Sequence, residues 1–134
     1  MTIERYGPKG AWAVVTGGTD GIGKAIALEL ASRGFNIAVI SRNIDKLNAT
    51  AKELQERGKS AGGINTRVIV FDFCEDLSIK AYKEQIAAKL ADLDISILVN
   101  NVGVGVPADR SVGTTYREIA ANCYPIVLLT QQLI

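Results

Sequence analysis

Apolar residues fall along the chain in short unbroken runs, separated by longer segments in which they recur every three or four positions. Trp12-Ala13-Val14-Val15 predicts a buried strand that runs into a glycine cluster, after which Ile22, Ile26 and Leu30 recur at helical spacing as far as Gly34. Ile37-Ala38-Val39-Ile40 predicts a second strand, followed by a helix over 44–57 with Leu47, Ala51 and Leu54 turned inward. The alternation repeats: a strand over 68–71, a helix over 80–90, a strand over 95–99 and a helix over 114–134. Strands that are apolar throughout must be buried on both faces, so the pattern predicts a parallel sheet covered by helices on each side. The expected fold class is α/β, a doubly wound parallel sheet in the order β-α-β-α-β-α-β-α. Pro125 lies inside the last periodic run, where it cannot bond to the Ala121 carbonyl, and predicts a kink near Asn122.

The length of 134 residues suits a single domain over 1–134, and Gly58-Lys59-Ser60-Ala61-Gly62-Gly63, which reads as a flexible connector, is too short to separate two. Fifteen Lys and Arg against 14 Asp and Glu leave a net charge of +1, so no broad field recruits nucleic acid or an anionic membrane. The absence of histidine removes Ser-His-Asp and Cys-His catalysis and any metal site that needs imidazole; no metal is expected. Cys74 and Cys123 stand apart, without CxxC spacing, and read as small core residues of a protein from a reduced intracellular compartment. The apolar runs fall far short of the roughly 20 residues that span a bilayer, and Met1-Thr2-Ile3-Glu4-Arg5 does not read as a signal peptide, so the expected setting is cytoplasmic.

Candidate chemistry gathers at the predicted strand ends. Thr16-Gly17-Gly18-Thr19-Asp20-Gly21-Ile22-Gly23 joins the first strand to the first helix, where a glycine turn and the N–H groups of a helix N-terminus suit a pyrophosphate. Gly17 permits the sharp turn, Gly21 lets an anion approach the backbone, and Gly23 lets helix and strand pack closely. Gly23-Lys24 is followed by Ala25, so this is not a Walker loop. Asp20 works against an anion site unless it turns outward or caps the helix. Ser41-Arg42 ends the second strand, offering a guanidinium for the 2′-phosphate of NADP and no carboxylate for the free ribose of NAD. Lys46 adds positive charge nearby or is a solvated helix residue. Asp72-Phe73, after the third strand, either meets an adenine amino group or simply closes a turn. Asn100-Asn101-Val102-Gly103, after the fourth, ties neighbouring loops together and leaves room at Gly103 for a ribose.

These residues resemble the short-chain dehydrogenase/reductase family, whose Thr-Gly-x-x-x-Gly-x-Gly pattern is matched by Thr16 to Gly23 and whose Asn-Asn-Ala-Gly block is matched by Asn100 to Gly103. The strings from Trp12 to Lys24, Ile40 to Asn43 and Ile97 to Gly103, with Val102 for the usual alanine, are similar to one branch: the very-long-chain 3-oxoacyl-CoA reductases and their 17β-hydroxysteroid dehydrogenase relatives. The resemblance implies a Rossmann-type doubly wound parallel sheet, truncated after the fourth β-α unit. It implies NADP as cofactor, held by Gly17, Thr19, Gly21, Ile22, Gly23, Ser41, Arg42, Asp72, Phe73, Asn100, Asn101 and Gly103. Asn122 would be the active-site asparagine that holds a water in the proton relay. The parent reaction would be hydride transfer between a nicotinamide and a carbonyl or secondary alcohol, on a lipid-like 3-oxoacyl thioester or a steroid. The family's catalytic serine and Tyr-x-x-x-Lys have no counterpart here: Tyr6, Tyr82, Tyr116 and Tyr124 are followed at the fourth position by Gly10, Ile86, Ala120 and Leu128. The expected chain is therefore the cofactor-binding half of a reductase, binding without turnover, or else a non-catalytic nucleotide-binding or interaction module. The relatives' N-terminal membrane anchor is not matched, although endoplasmic reticulum association of longer relatives is compatible with the branch. With a fifth strand and later helices missing from the 134 residues, the fourth strand and the last helix are expected to build a homo-oligomer.

Overall fold

The computed structural model describes residues 6–8, 10–75, 78–105 and 112–134; the N-terminal segment read above as lacking a signal peptide lies outside them. Four parallel strands, β1 (Trp12–Thr16), β2 (Asn36–Ser41), β3 (Thr66–Val70) and β4 (Ile95–Val99), form one sheet in the order β3-β2-β1-β4. Each begins and ends within about two residues of its sequence expectation. The helices are α1 (Gly21–Ser32), α2 (Ile44–Gly58), α3 (Ile79–Ala81), α4 (Ala88–Leu90) and α5 (Val112–Leu133), with a π-helical stretch, Tyr82–Ala87, joining α3 to α4.

Alternation along the central strands divides the core into two layers. Ala13 and Val15 of β1, with Ile37 and Val39 of β2, pack under α1 and α2 against Ala27, Leu30, Leu47 and Leu54. Val14, Ala38 and Ile40 face the other way, onto Tyr82, Ile86, Leu90 and Leu129. The sheet is thus covered on both faces, which is why β1 and β2 carry no polar residue except at their ends.

The helices differ from expectation in which residues they bury. In α1 the inward residues are Gly23, Ala27, Leu30 and Ala31, whereas Ile22 is 75% exposed. A face of small residues lets the helix lie close to the sheet, and that close packing rotates Ile22 outward. In α2, Thr50 is buried beside Leu47 and Leu54 while Ala51 is only half-buried. Tyr82, Ile86 and Leu90 are buried at four-residue intervals, a spacing longer than 3.6 that a widened turn keeps on one face. The segment read as a connector carries regular structure: Gly58 ends α2 against Ile64, a 3-10 turn spans Lys59–Ala61, and Gly62 and Gly63 adopt φ of +96° and +92°. The helix α5 runs as one element through Pro125, with no separate segment at Asn122.

Candidate functional site at the carboxyl edge of the sheet

The chain order reverses at β1, which has β2 on one side and β4 on the other. In an open parallel sheet this switch point leaves a crevice beyond the carboxyl ends of the two diverging strands. Thr16 organises it. The side chain is fully buried, its Oγ1 donates to the Val99 carbonyl (3.3 Å), and the same oxygen accepts from Asn101 N and Val102 N, both at 3.0 Å. Asn101 completes the tie by donating Nδ2 to the carbonyls of Thr16 (3.1 Å) and Gly17 (3.2 Å). Asn100 reaches the other way, donating to Thr130 Oγ1 of α5 at 3.3 Å. The two adjacent amides thus fasten the end of β4 to β1 and to α5.

The glycine turn has a distinct requirement at each position. Gly17 has φ +63°, and a Cβ there would meet Asn101 Nδ2 at 3.0 Å. Gly21 has φ +52° and open space around it, so the start of α1 is accessible to a ligand. A Cβ on Gly23 would stand 2.3 Å from Asn101 Nδ2 and 2.6 Å from the Gly17 carbonyl, so what this glycine permits is the approach of α1 to the Asn101 side chain. Asp20 has extended backbone, caps α1 by accepting from Gly21 N (2.9 Å) and pairs with Lys46 (3.4 Å). Both contacts hold its carboxyl below the usual carboxylate range, the backbone bond most and the lysine next.

A cavity of about 370 Å³ occupies this edge. Its walls bring together Gly17, Thr19, Ser41, Arg42, Asp72, Phe73 and Gly103 from the sequence candidates, and add Asp20, Asn43, Lys46, Cys74, Val102 and Val104. Thr19 and Ser41 share a hydroxyl hydrogen bond of 3.1 Å, which joins the glycine turn to the end of β2. Asn43 caps α2 by accepting from Lys46 N at 2.9 Å. Asp72 closes its turn by accepting from Cys74 N (2.9 Å), and Phe73 lies edge-on to Phe71, their centroids 4.9 Å apart. Burial, and then the Asp72 charge, push the Cys74 thiol up, which favours its protonated form.

Not every candidate reaches the cavity. Ile22 lines a shallow hollow on the outer flank of α1, with Ala25, Ile26 and Arg33, which places it away from the strand ends. Asn100 and Asn101 act through the ties described above. Asn122, exposed on α5, accepts from Val104 N (2.8 Å) and donates to Val104 O (2.9 Å), a two-point clamp on the loop after Gly103. Sequence reasoning did not single out Thr16 or Gly18, whose Cβ would meet Val39 Cγ1 at 2.9 Å. A threonine at the end of an otherwise apolar strand was the available signal for the first. The close approach at Gly18 left none. A wider hollow of about 980 Å³ lies between α1 and α2, but it is lined by solvated helix residues of both charges, such as Glu29, Lys52, Glu53 and Arg57.

Sheet order, glycine turn and crevice define an α/β protein of the Rossmann-type, doubly wound class. Residues 11–134 match the short chain dehydrogenase family, and the chain belongs to it. It is 45% identical over 134 residues to a very-long-chain 3-oxoacyl-CoA reductase of Pyricularia oryzae, a match that covers 96% of this chain and 39% of that protein. To the protein of the same name from Podospora anserina it is 48% identical over 101 residues, or 75% of this chain and 28% of the relative. A metagenomic short-chain oxidoreductase solved in complex with NADP superposes with a TM-score of 0.78 at 30% identity, over 92% of this chain and 55% of that one. The chain thus spans well under half the length of these curated relatives. Among the described residues, no helix is long and apolar enough to cross a membrane.

Proposed function

We propose that the carboxyl-edge cavity binds NADP(H), and that the chain is the cofactor-binding part of an oxidoreductase acting on a carbonyl or secondary alcohol. The observation that carries this reading is the unpaired Arg42 guanidinium: it lines the cavity beside Ser41 and Lys46, and no carboxylate among the described residues lies within ion-pair distance of it. Such a group suits a phosphate dianion and gives a free ribose 2′-hydroxyl little. The positive φ and open space at Gly21, at the N-terminus of the twelve-residue helix α1, fit a pyrophosphate. Asp72 keeps one carboxylate oxygen for an adenine amino group, and Gly103 offers close passage to the second ribose. Bound there, the cofactor would supply hydride. The chain's own residues orient it: Asn101 and Thr16 fix the turn, and Asn122 fixes Val104 while retaining a lone pair and an amide proton for a water.

The relatives named as very-long-chain 3-oxoacyl-CoA reductases support a 3-oxoacyl thioester as the parent substrate, with a steroid as the second reading. A homo-oligomer is the proposed assembly. It is supported by β4, which pairs only with β1 among the described residues, and by exposed apolar side chains on α5. Calorimetric titration tests the cofactor assignment: NADPH is expected to bind more tightly than NADH by about 1–3 kcal/mol, and Arg42→Ala to abolish most of that difference. Equal affinities, or a preference that survives Arg42→Ala, would overturn it.

A further inference from the structure

Asp20 places an acid among the basic and polar walls of the proposed anion site. Its carboxylate and the Lys46 ammonium, 3.4 Å apart, both line the cavity that holds Arg42, Thr19 and Ser41. The pair joins the N-cap of α1 to the first turn of α2, and both partners are wall residues of the cavity. Each side chain is well exposed, 82% for Asp20 and 59% for Lys46, and an ion pair of that kind exchanges partners readily. Among the described residues, Arg42 has no such competitor. Lys46, in contrast, has its charge divided before any ligand arrives.

We propose that the Asp20–Lys46 pair sets how strongly this site prefers a 2′-phosphorylated dinucleotide over an unphosphorylated one, with Asp20 as the restraining residue. Lys46 leaves Asp20 to meet the 2′-phosphate, and Asp20 opposes that exchange by holding the ammonium. An unphosphorylated dinucleotide leaves the pair intact, so the carboxylate weighs on the phosphorylated ligand more. The inference rests on the NADP(H) reading and assigns to Asp20 a specificity role that helix capping alone does not contain. A second ion pair, Lys24–Glu53 at 2.9 Å, joins the same two helices, and neither partner lines the cavity. It provides the structural control.

The test titrates the 134-residue chain with NADPH and with NADH in buffers of low and moderate ionic strength. Asp20→Asn keeps a good helix cap while removing the charge. It is expected to raise the NADPH:NADH affinity ratio about three- to tenfold, the scale of one charge-assisted contact in a partly screened site, and the gain should shrink as salt is added. Lys46→Met should lower the ratio by a similar factor, and in the double variant the gain from Asp20→Asn should vanish. Glu53→Gln should leave the ratio unchanged. A ratio that is unchanged or lowered in Asp20→Asn overturns the proposal, as does a gain that persists without Lys46 or an equal gain in Glu53→Gln. Binding of neither dinucleotide would remove the cofactor reading and this proposal with it; tight NADPH binding with an unmoved ratio would remove this proposal alone.

Discussion

Thr16 concentrates the largest consequence in a single side chain. One hydroxyl satisfies two backbone donors at the end of β4 while donating to a third residue there. Thr16→Val keeps the shape and leaves Asn101 N and Val102 N without that acceptor. The expected cost is about 1–3 kcal/mol for each orphaned donor, measured as a shift of the urea midpoint, with Thr16→Ser close to the parent. The glycine positions were legible in the sequence because each interrupts a strand-to-helix junction with a residue that tolerates positive φ. What they pack against was not legible. Asn101 is remote from Gly17 and Gly23 along the chain, and only the register of β1 against β4 brings its side chain between them. The same holds for Asp20, which the sequence left between two roles and which the structure gives both a cap and a lysine partner.

At the level of elements, strand and helix identities were legible because apolar periodicity is a direct image of burial. The inward faces were read less well, since a helix resting on Gly23, Ala27 and Ala31 shows a large apolar residue, Ile22, to solvent. The π-helical turn at Tyr82–Ala87 has no composition signal at all. Ion pairs fasten the elements together: Arg67 of β3 grips Asp92 through two hydrogen bonds (2.5 and 2.9 Å) and also reaches the carbonyl of Lys89, after α4 begins. The arginine bond, above all, holds the Asp92 carboxyl below its ordinary 3.8. A folded value below the unfolded one means that this contact stabilises the fold above about pH 3.8 and is lost as the pH falls through the lower, folded value. Chemical denaturation as a function of pH should therefore reveal a loss of stability on that acid limb. Asp92→Asn is expected to lose less over the same interval; an identical acid limb in the variant would exclude the contact as a contributor.

On the scale of the whole molecule, the sheet brings its four chemically distinctive strand ends to one edge and leaves β4 hydrogen-bonded on one side among the described residues. Of the apolar residues in the second half of α5, the sheet covers only part. Leu129 is fully buried and Leu128 and Leu133 pack partly on the core, whereas Ile126, Val127 and Ile134 remain 51%, 63% and 74% exposed. Leu129→Lys would therefore unfold the core and report nothing on association. Val127→Lys addresses the exposed face, and light scattering should record a smaller particle than the parent; an unchanged mass would take this face out of the interface.

Amide hydrogen exchange with and without saturating NADPH tests the placement of the dinucleotide in the carboxyl-edge cavity. The expected result is slowed exchange in three separate segments, 17–23, 41–46 and 72–74, each of which contributes residues to the walls of that cavity. Protection confined to the charged hollow between α1 and α2, or no protection at any of the three, would contradict it.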